Sequence, residues 1–322
     1  MCTAVTYKPG DHYFGRNLDL EYSYRETVTV TPRKFPFAFR KMGKLENHYA
    51  LIGMTYVAEG YPLYYDATNE KGLSMAGLNF PGNADYKPYC RDKDNITPFE
   101  LIPWILGQCA TVAEAEKLLQ RMNLLGENFS PELPLSPLHW LLADRERALV
   151  IESVKEGIRL YEDPVGVLTN NPPFDHQVWN LSNFMTLSRS QPENAWNIPL
   201  EAYSRGMGAM GLPGDYSSVS RFVKASFVKM NALSGEGETE SVSQFFHILK
   251  SVEMPRGSVE LEKDVYEITV YSSCCNTDRG IYYYTTYENS GICAVDMHRE
   301  DLDGSTLTAY PLVKEPNIQY QN

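Results

Sequence analysis

Helix-forming stretches in this chain come grouped, set between groups of strand-forming stretches. A doubly wound parallel sheet needs single helices alternating with single strands, so this order argues against one. It predicts two antiparallel sheets stacked together and covered by helices. Cys2–Tyr7 is apolar and β-branched, Lys8-Pro9-Gly10-Asp11 turns the chain, and His12–Asn17 returns as the second arm of a hairpin. Thr27–Thr31 alternates threonine with valine, as a strand with one covered face does. Tyr49–Val57 and Gly72–Leu78 complete the first group of strands.

Thr97-Pro98-Phe99-Glu100 has the form of a capping box with proline at the first helical position, and predicts a helix to about Cys109. Thr111-Val112-Ala113-Glu114 repeats the box, and its helix puts Val112, Ala115, Leu118, Leu119 and Met122 on one face. Gly126–Pro137 holds three prolines and reads as a loop. Strands return at His139–Asp144, Ala148–Val154 and Val165–Thr169. Helices follow at Phe174–Met185, Ser218–Met230 and Ser241–Val252. The last strands fall near Val265–Ser273, Ile281–Glu288, Ile292–Met297 and Leu307–Leu312. No linker interrupts residues 1–322, so a single domain is expected.

The formal net charge is −12, and an acidic surface repels phosphate backbones, so nucleic acid is not an expected partner. Lys8, Asp11, Arg16 and Asp19 interrupt the first twenty residues, which therefore lack the apolar core of a signal peptide. The longest strongly apolar run, Leu101 to Leu106, is too short to cross a bilayer. A soluble, cytoplasmic, bacterial protein without a membrane partner is the expectation. Six cysteines are present, but only Cys274 and Cys275 are close and no CxxC occurs, so neither a zinc site nor a disulfide framework is predicted. The six histidines are scattered, and no metal or other cofactor is expected.

Cys2 directly follows the initiator methionine. Trimming of Met1 would leave a chain that begins with a thiol and a free α-amine on one residue. An α-amine titrates at about 7.7–8, so near neutrality it can take the thiol proton without a separate histidine. Such a centre needs a nearby cation to favour the thiolate and a carboxylate to hold the amine. It also needs donors aimed at the oxyanion of the tetrahedral intermediate.

The returning hairpin arm, Gly15-Arg16-Asn17-Leu18-Asp19, brings a cation and a carboxylate beside Cys2. Asn17 and Asp19 share one strand face if the arm stays extended. Asn79 ends the strand-like Ala76-Gly77-Leu78-Asn79-Phe80-Pro81, and Asn170 ends the similar Val167-Leu168-Thr169-Asn170-Asn171-Pro172. An asparagine there is a turn residue or an oxyanion donor. Arg221 lies inside an otherwise apolar helix, where a guanidinium needs a partner or an anionic ligand.

Several stretches, in order, resemble the choloylglycine hydrolase family, which contains bile salt hydrolases and penicillin V acylases. They are Met1-Cys2-Thr3, Gly15–Asp19, Asn69-Glu70-Lys71-Gly72-Leu73, Ala76–Pro81, Leu168-Thr169-Asn170, Gly211-Leu212-Pro213-Gly214-Asp215, Ser220-Arg221-Phe222 and Gly280-Ile281-Tyr282-Tyr283-Tyr284. The resemblance covers nearly the whole chain and implies an α+β, four-layer αββα sandwich of N-terminal nucleophile hydrolases, assembled as a homotetramer. It implies Cys2 as nucleophile with its own amine as base, Arg16 stabilising the thiolate and Asp19 holding the amine. Asn170, through its side chain, and Asn79, through its backbone amide, would form the oxyanion hole. Arg221 would complete the polar shell.

The substrates so implied are bile acids conjugated to glycine or taurine. Leu18, Tyr22 and Tyr24 are candidates to line the acyl pocket, as are Tyr56–Tyr65 and the Pro131–Pro137 loop. Asn79 stands where some penicillin acylases of the family carry tyrosine, which tilts the reading toward bile salts. Ser204-Arg205-Gly206 resembles the glycine-preferring form, with Arg205 placed to pair with a glycine carboxylate. The rivals are a penicillin V acylase, an acyltransferase that passes the same thioester to a free amine, and a lipid-binding protein without catalysis.

Overall fold

The computed structural model describes all 322 residues. Fourteen strands form two large sheets whose neighbouring strands all pair antiparallel. The six-stranded sheet runs, edge to edge, Val167–Leu168, Cys2–Tyr7, Tyr13–Leu20, Ile268–Asn276, Ile281–Thr286 and Cys293–Asp296. The eight-stranded sheet runs Gly157–Glu162, Ala148–Val154, Leu138–Ala143, Ser74–Asn79, Tyr61–Asn69, Leu51–Ala58, Thr27–Thr31 and Thr308–Pro311.

Alternation along single strands reveals the layers. Ala76, Leu78, Leu141 and Val150 pack into one apolar core with Cys2, Phe14 and Leu18 of the other sheet. Their strand neighbours Met75, Trp140, Leu142, Leu149 and Ile151 pack into a second core with Leu101, Ile105, Val112 and Leu119. Successive side chains leave a strand on opposite faces, so the eight-stranded sheet is buried on both. Phe222, Phe245 and Leu249, from the helices Ser218–Asn231 and Glu238–Lys250, cover the far side of the six-stranded sheet. The order is helix, sheet, sheet, helix: the αββα sandwich.

Gly15 is the close-approach point of the six-stranded sheet. A Cβ there would stand 1.9 Å from the backbone oxygen of Ser273 on the adjacent strand. Only glycine lets those two backbones meet.

Some elements depart from expectation. Tyr61–Asn69 and Gly157–Glu162 are strands that sequence patterning did not predict. The helix after Thr97 begins as a 3-10 turn at Pro98–Glu100, continues as Leu101–Leu106 and stops before Gly107. Its start signal operates: the Glu100 carboxylate accepts the Thr97 N–H at 2.9 Å. Met122 is not on the face of the Val112–Leu119 helix; it lies in Met122–Leu124, a short strand that pairs parallel with Asp94–Ile96. The helix from Phe174 ends at Asn180, with a 3-10 turn over Leu181–Phe184. No helix is long and apolar enough to cross a membrane.

Candidate active site

The hairpin register sets Cys2 directly opposite Leu18, Thr3 opposite Asn17 and Ala4 opposite Arg16. By strand alternation Cys2, Arg16 and Leu18 turn into the space between the sheets, while Thr3, Asn17 and Asp19 turn toward the helices. Bonding agrees. Asn17 Nδ2 donates to the carbonyl of Leu249 in a covering helix at 3.0 Å. Arg16 Nη1 donates to the carbonyls of Tyr65 and Gly77 in the facing sheet, at 3.0 and 2.5 Å.

Arg16 is fully buried, and its Nη2 has no hydrogen-bond partner. Burial weighs against its charge, yet Cys2, Tyr271, Asp66 and Asp19 together hold the guanidinium protonated above its ordinary range. Asp66 is buried in the same layer and accepts hydroxyl hydrogens from Tyr271 at 2.8 Å and Tyr282 at 2.7 Å. Burial raises its carboxyl above the usual value, against the pull of Arg16.

Asp19 is also fully buried. Its Oδ1 accepts from Thr269 Oγ1 at 2.6 Å, and its Oδ2 has no partner. Burial pushes this carboxyl up, opposed by Arg221, the chain's terminal ammonium, Thr269 and Arg16. Met1 extends the first strand against Asp19: the terminal amine donates to the Asp19 carbonyl at 2.8 Å, and the Asp19 N–H returns to the Met1 carbonyl at 3.0 Å. The same ammonium forms an ion pair with the buried Glu267.

Asn170 is the hub. Its Oδ1 accepts the Cys2 backbone N–H at 2.9 Å and Arg221 Nη2 at 2.7 Å. Its Nδ2 donates to the Asn79 carbonyl at 2.7 Å, which leaves one amide hydrogen free. Its own N–H is fixed by Ser218 Oγ at 2.8 Å. Arg221, buried in the Ser218–Asn231 helix, donates from Nη1 to the Cys2 carbonyl at 2.6 Å and to Thr3 Oγ1 at 2.7 Å. Burial lowers its pKa, opposed by Asp19 and Cys2. The interior guanidinium therefore finds its partners on the first strand, on Asn170 and on the Tyr216 carbonyl.

The six residues proposed for catalysis thus meet at the head of the first strand, although Asn79 touches the group only through its carbonyl. The pocket candidates are more dispersed. Leu18 is buried against Cys2. Tyr22 and Tyr24 are exposed and face each other, ring centroids 4.9 Å apart. Tyr22 borders a cleft of about 480 Å³ with Arg256, Leu261, Val265 and Tyr266, and Cys2 is not among its lining residues. Arg205 is exposed and forms no ion pair. Thr3, Ser218, Glu267 and Thr269 also hold the site together, and sequence reasoning missed them. Only Thr3, inside the opening motif, carried any signal.

With Met1 attached, the Cys2 nitrogen is an amide and cannot accept a proton. Removing Met1 turns it into the amine that the thiol needs. A cysteine there, ringed by buried cations and amide donors on two stacked antiparallel sheets, defines an N-terminal nucleophile hydrolase acting on linear amides. The chain belongs to the choloylglycine hydrolase family, whose description is "linear amide C–N hydrolases" and whose family model matches residues 2–310. It is 59% identical over 317 residues, 98% of each chain, to a bile salt hydrolase/transferase of Lactiplantibacillus plantarum. It superposes with a TM-score of 0.92 on a mutant conjugated bile acid hydrolase of Clostridium perfringens, at 36% identity and 100% coverage of both chains. A penicillin V acylase of Pectobacterium atrosepticum is more distant, 26% identical over 60% of this chain and 50% of its own.

Proposed function

We propose that this protein hydrolyses the amide of bile acids conjugated to glycine or taurine, through an acyl-thioester on Cys2. The observation that carries the reading is the seating of Cys2 at the head of its strand. Its N–H lies on Asn170 and its carbonyl on Arg221, in a chain alike from end to end to enzymes named for that reaction.

Once Met1 is gone, the α-amine takes the thiol proton and Asp19 holds the resulting ammonium. The thiolate, favoured by Arg16, attacks the amide carbon. The oxyanion so formed meets the free Nδ2 hydrogen of Asn170 and the backbone N–H of Asn79. Each such donor is worth about 10²–10³ in rate. The C–N bond then breaks as the ammonium returns its proton to the leaving nitrogen, releasing glycine or taurine. Water attacks the thioester by the same route and frees the bile acid. Arg221 holds Asn170 and the Cys2 carbonyl in register throughout.

A second reading is favoured by the "transferase" in the relative's name: an amine replaces water in the last step. The distance of the penicillin V acylase counts against that substrate. Preference for glycine conjugates through Arg205 and a cytoplasmic location complete the proposal. So does a homotetramer, supported by the exposed Trp196, Ile198, Leu200 and Tyr203, which another copy would cover.

The test is intact mass followed by turnover of glycocholate, taurocholate and penicillin V, with and without an added amine. Chains lacking Met1 should deconjugate bile salts, and Cys2→Ala should abolish the reaction. Chains that keep Met1 and turn over at full speed would refute the scheme. Equal rates on the two bile salts would remove the role of Arg205, and light scattering reads the assembly.

A further inference from the structure

Asn79 ends the strand Ser74–Asn79 of one sheet and Asn170 lies two residues past the strand Val167–Leu168 of the other, so something must hold the two segments in register. We propose that His139 and Glu152 are positioning residues for the oxyanion hole, clamping both of its halves. This rests on the oxyanion assignment above.

Both residues are fully buried, and they face each other across adjacent strands. The His139 ring stacks flat on Phe80, the residue after Asn79, with centroids 4.2 Å apart and planes 5° apart. Its Nε2 lies 2.9 Å from the carbonyl of Thr169, the residue before Asn170. Its Nδ1 lies 3.2 Å from Glu152 Oε1, which also accepts the Phe174 N–H at 3.0 Å. One imidazole therefore touches the immediate neighbour of each oxyanion residue, and its acid partner pins the chain just beyond Asn170.

The proton count fixes how the clamp works. A carbonyl oxygen only accepts, so Nε2 carries a hydrogen. Nδ1 is then the ring's contact with Glu152 Oε1, the same oxygen that accepts the Phe174 N–H, so one histidine and one carboxyl tie both segments together. The joint it stabilises is the 2.7 Å bond from Asn170 Nδ2 to the Asn79 carbonyl, which sets where the remaining amide hydrogen points. Donors to a developing oxyanion must be held to within about 0.5 Å.

The test separates this role from a general structural one. His139→Phe keeps a ring over Phe80 but deletes both polar ends. His139→Phe/Glu152→Leu removes the acid that would be left unpaired, in case the single variant does not fold. The readouts are kcat on glycocholate and the rate of Cys2 alkylation by iodoacetamide, which forms no oxyanion. The expected result is a kcat lowered about 10- to 100-fold with alkylation within about twofold of the parent. Glu152→Gln, which can still face Nδ1, should keep at least tenfold more kcat than His139→Phe. A folded variant with parental kcat, or one whose alkylation falls in step with kcat, overturns the proposal. Asn170→Ala is run alongside. Parental kcat there sinks the oxyanion assignment itself, whereas a crippled Asn170→Ala beside a fully active His139→Phe sinks only the clamp.

Discussion

Asn170 Oδ1 accepts the backbone N–H of Cys2 at 2.9 Å across 168 residues of chain. That one bond ties the nucleophile's own backbone to the side chain offered as oxyanion donor, so the donor and the attacking sulfur cannot drift apart independently. Asn170→Asp tests the donor role most cleanly. The aspartate keeps the acceptor for Cys2 and gains an ion pair with Arg221, but has no hydrogen for the oxyanion or for Asn79. We expect kcat to fall about 10²–10³-fold with thermal stability nearly unchanged. A variant that retains a tenth of parental kcat would contradict the assignment.

Arg16 is the cation between the sheets, and the proposed chemistry needs its charge more than its shape. Arg16→Met should slow iodoacetamide alkylation of Cys2 at neutral pH at least ~10-fold, because the thiolate loses its stabilising neighbour. It also strands Asp66 without a nearby cation, at a cost of roughly 3 kcal/mol on urea unfolding, whereas Asp19 keeps Arg221. Arg16→Lys keeps a charge, but its shorter stem must carry one nitrogen to the Tyr65 and Gly77 carbonyls that Nη1 bonds, and it loses the Nε bond to the Asn17 carbonyl, so it should fall between. Parental alkylation by the methionine variant would rule out the thiolate role.

Gly15→Ala should be the most damaging small change in the hairpin. Its Cβ would sit 1.9 Å from Ser273 oxygen, and both groups are backbone-borne, so the strands themselves must part. A loss of about 3 kcal/mol or more, or failure to accumulate soluble chain, is expected. Gly10→Ala, where nothing lies within 4 Å, is the control and should change stability by no more than about 0.5 kcal/mol. Equal stability of the two variants would show that the strands separate without cost.

Much of this architecture was legible because local patterns matched their tertiary use. Thr27–Thr31 alternates and is a strand over those same residues; Thr97 and Thr111 mark helix starts through their glutamates. Tyr61–Asn69 escaped because its polar members serve the interior: Asp66 receives two tyrosine hydroxyls and Asn69 caps two carbonyls. Gly157–Glu162 escaped because it is a half-exposed edge strand with little to alternate against. Within the site, a hairpin sufficed to bring Arg16 and Asp19 to Cys2. Asn79, Asn170 and Arg221 arrive through three separate long-range contacts, and no spacing rule encodes those. Their strand-end and apolar-helix settings marked them as candidates, but only family resemblance could join them to Cys2.

His12 gives the hairpin a pH dependence. It is buried at the turn, its Nδ1 lies 2.8 Å from Thr277 Oγ1, its Nε2 faces Thr6 Oγ1, and its N–H donates to Asp278. Burial pushes its pKa down to about 4, helped by Lys8 and Arg145 and opposed by Asp278 and Asp144. An unfolded histidine titrates near 6.5, so between the two values the unfolded chain binds the extra proton and the folded one does not. Stability is therefore full above about pH 6.5 and drains as pH falls toward about 4, by on the order of 3 kcal/mol in total. Asp163, pushed up to about 6 by burial, works in the opposite sense over part of this range. The readout is accordingly the difference between parent and His12→Asn in urea unfolding at neutral, mildly acidic and more acidic pH. The variant is less stable near neutrality, where it lacks the ring's bonds, and the gap should narrow steadily on acidification. A gap that stays constant with pH would mean that His12 enters the folded state as readily charged as neutral.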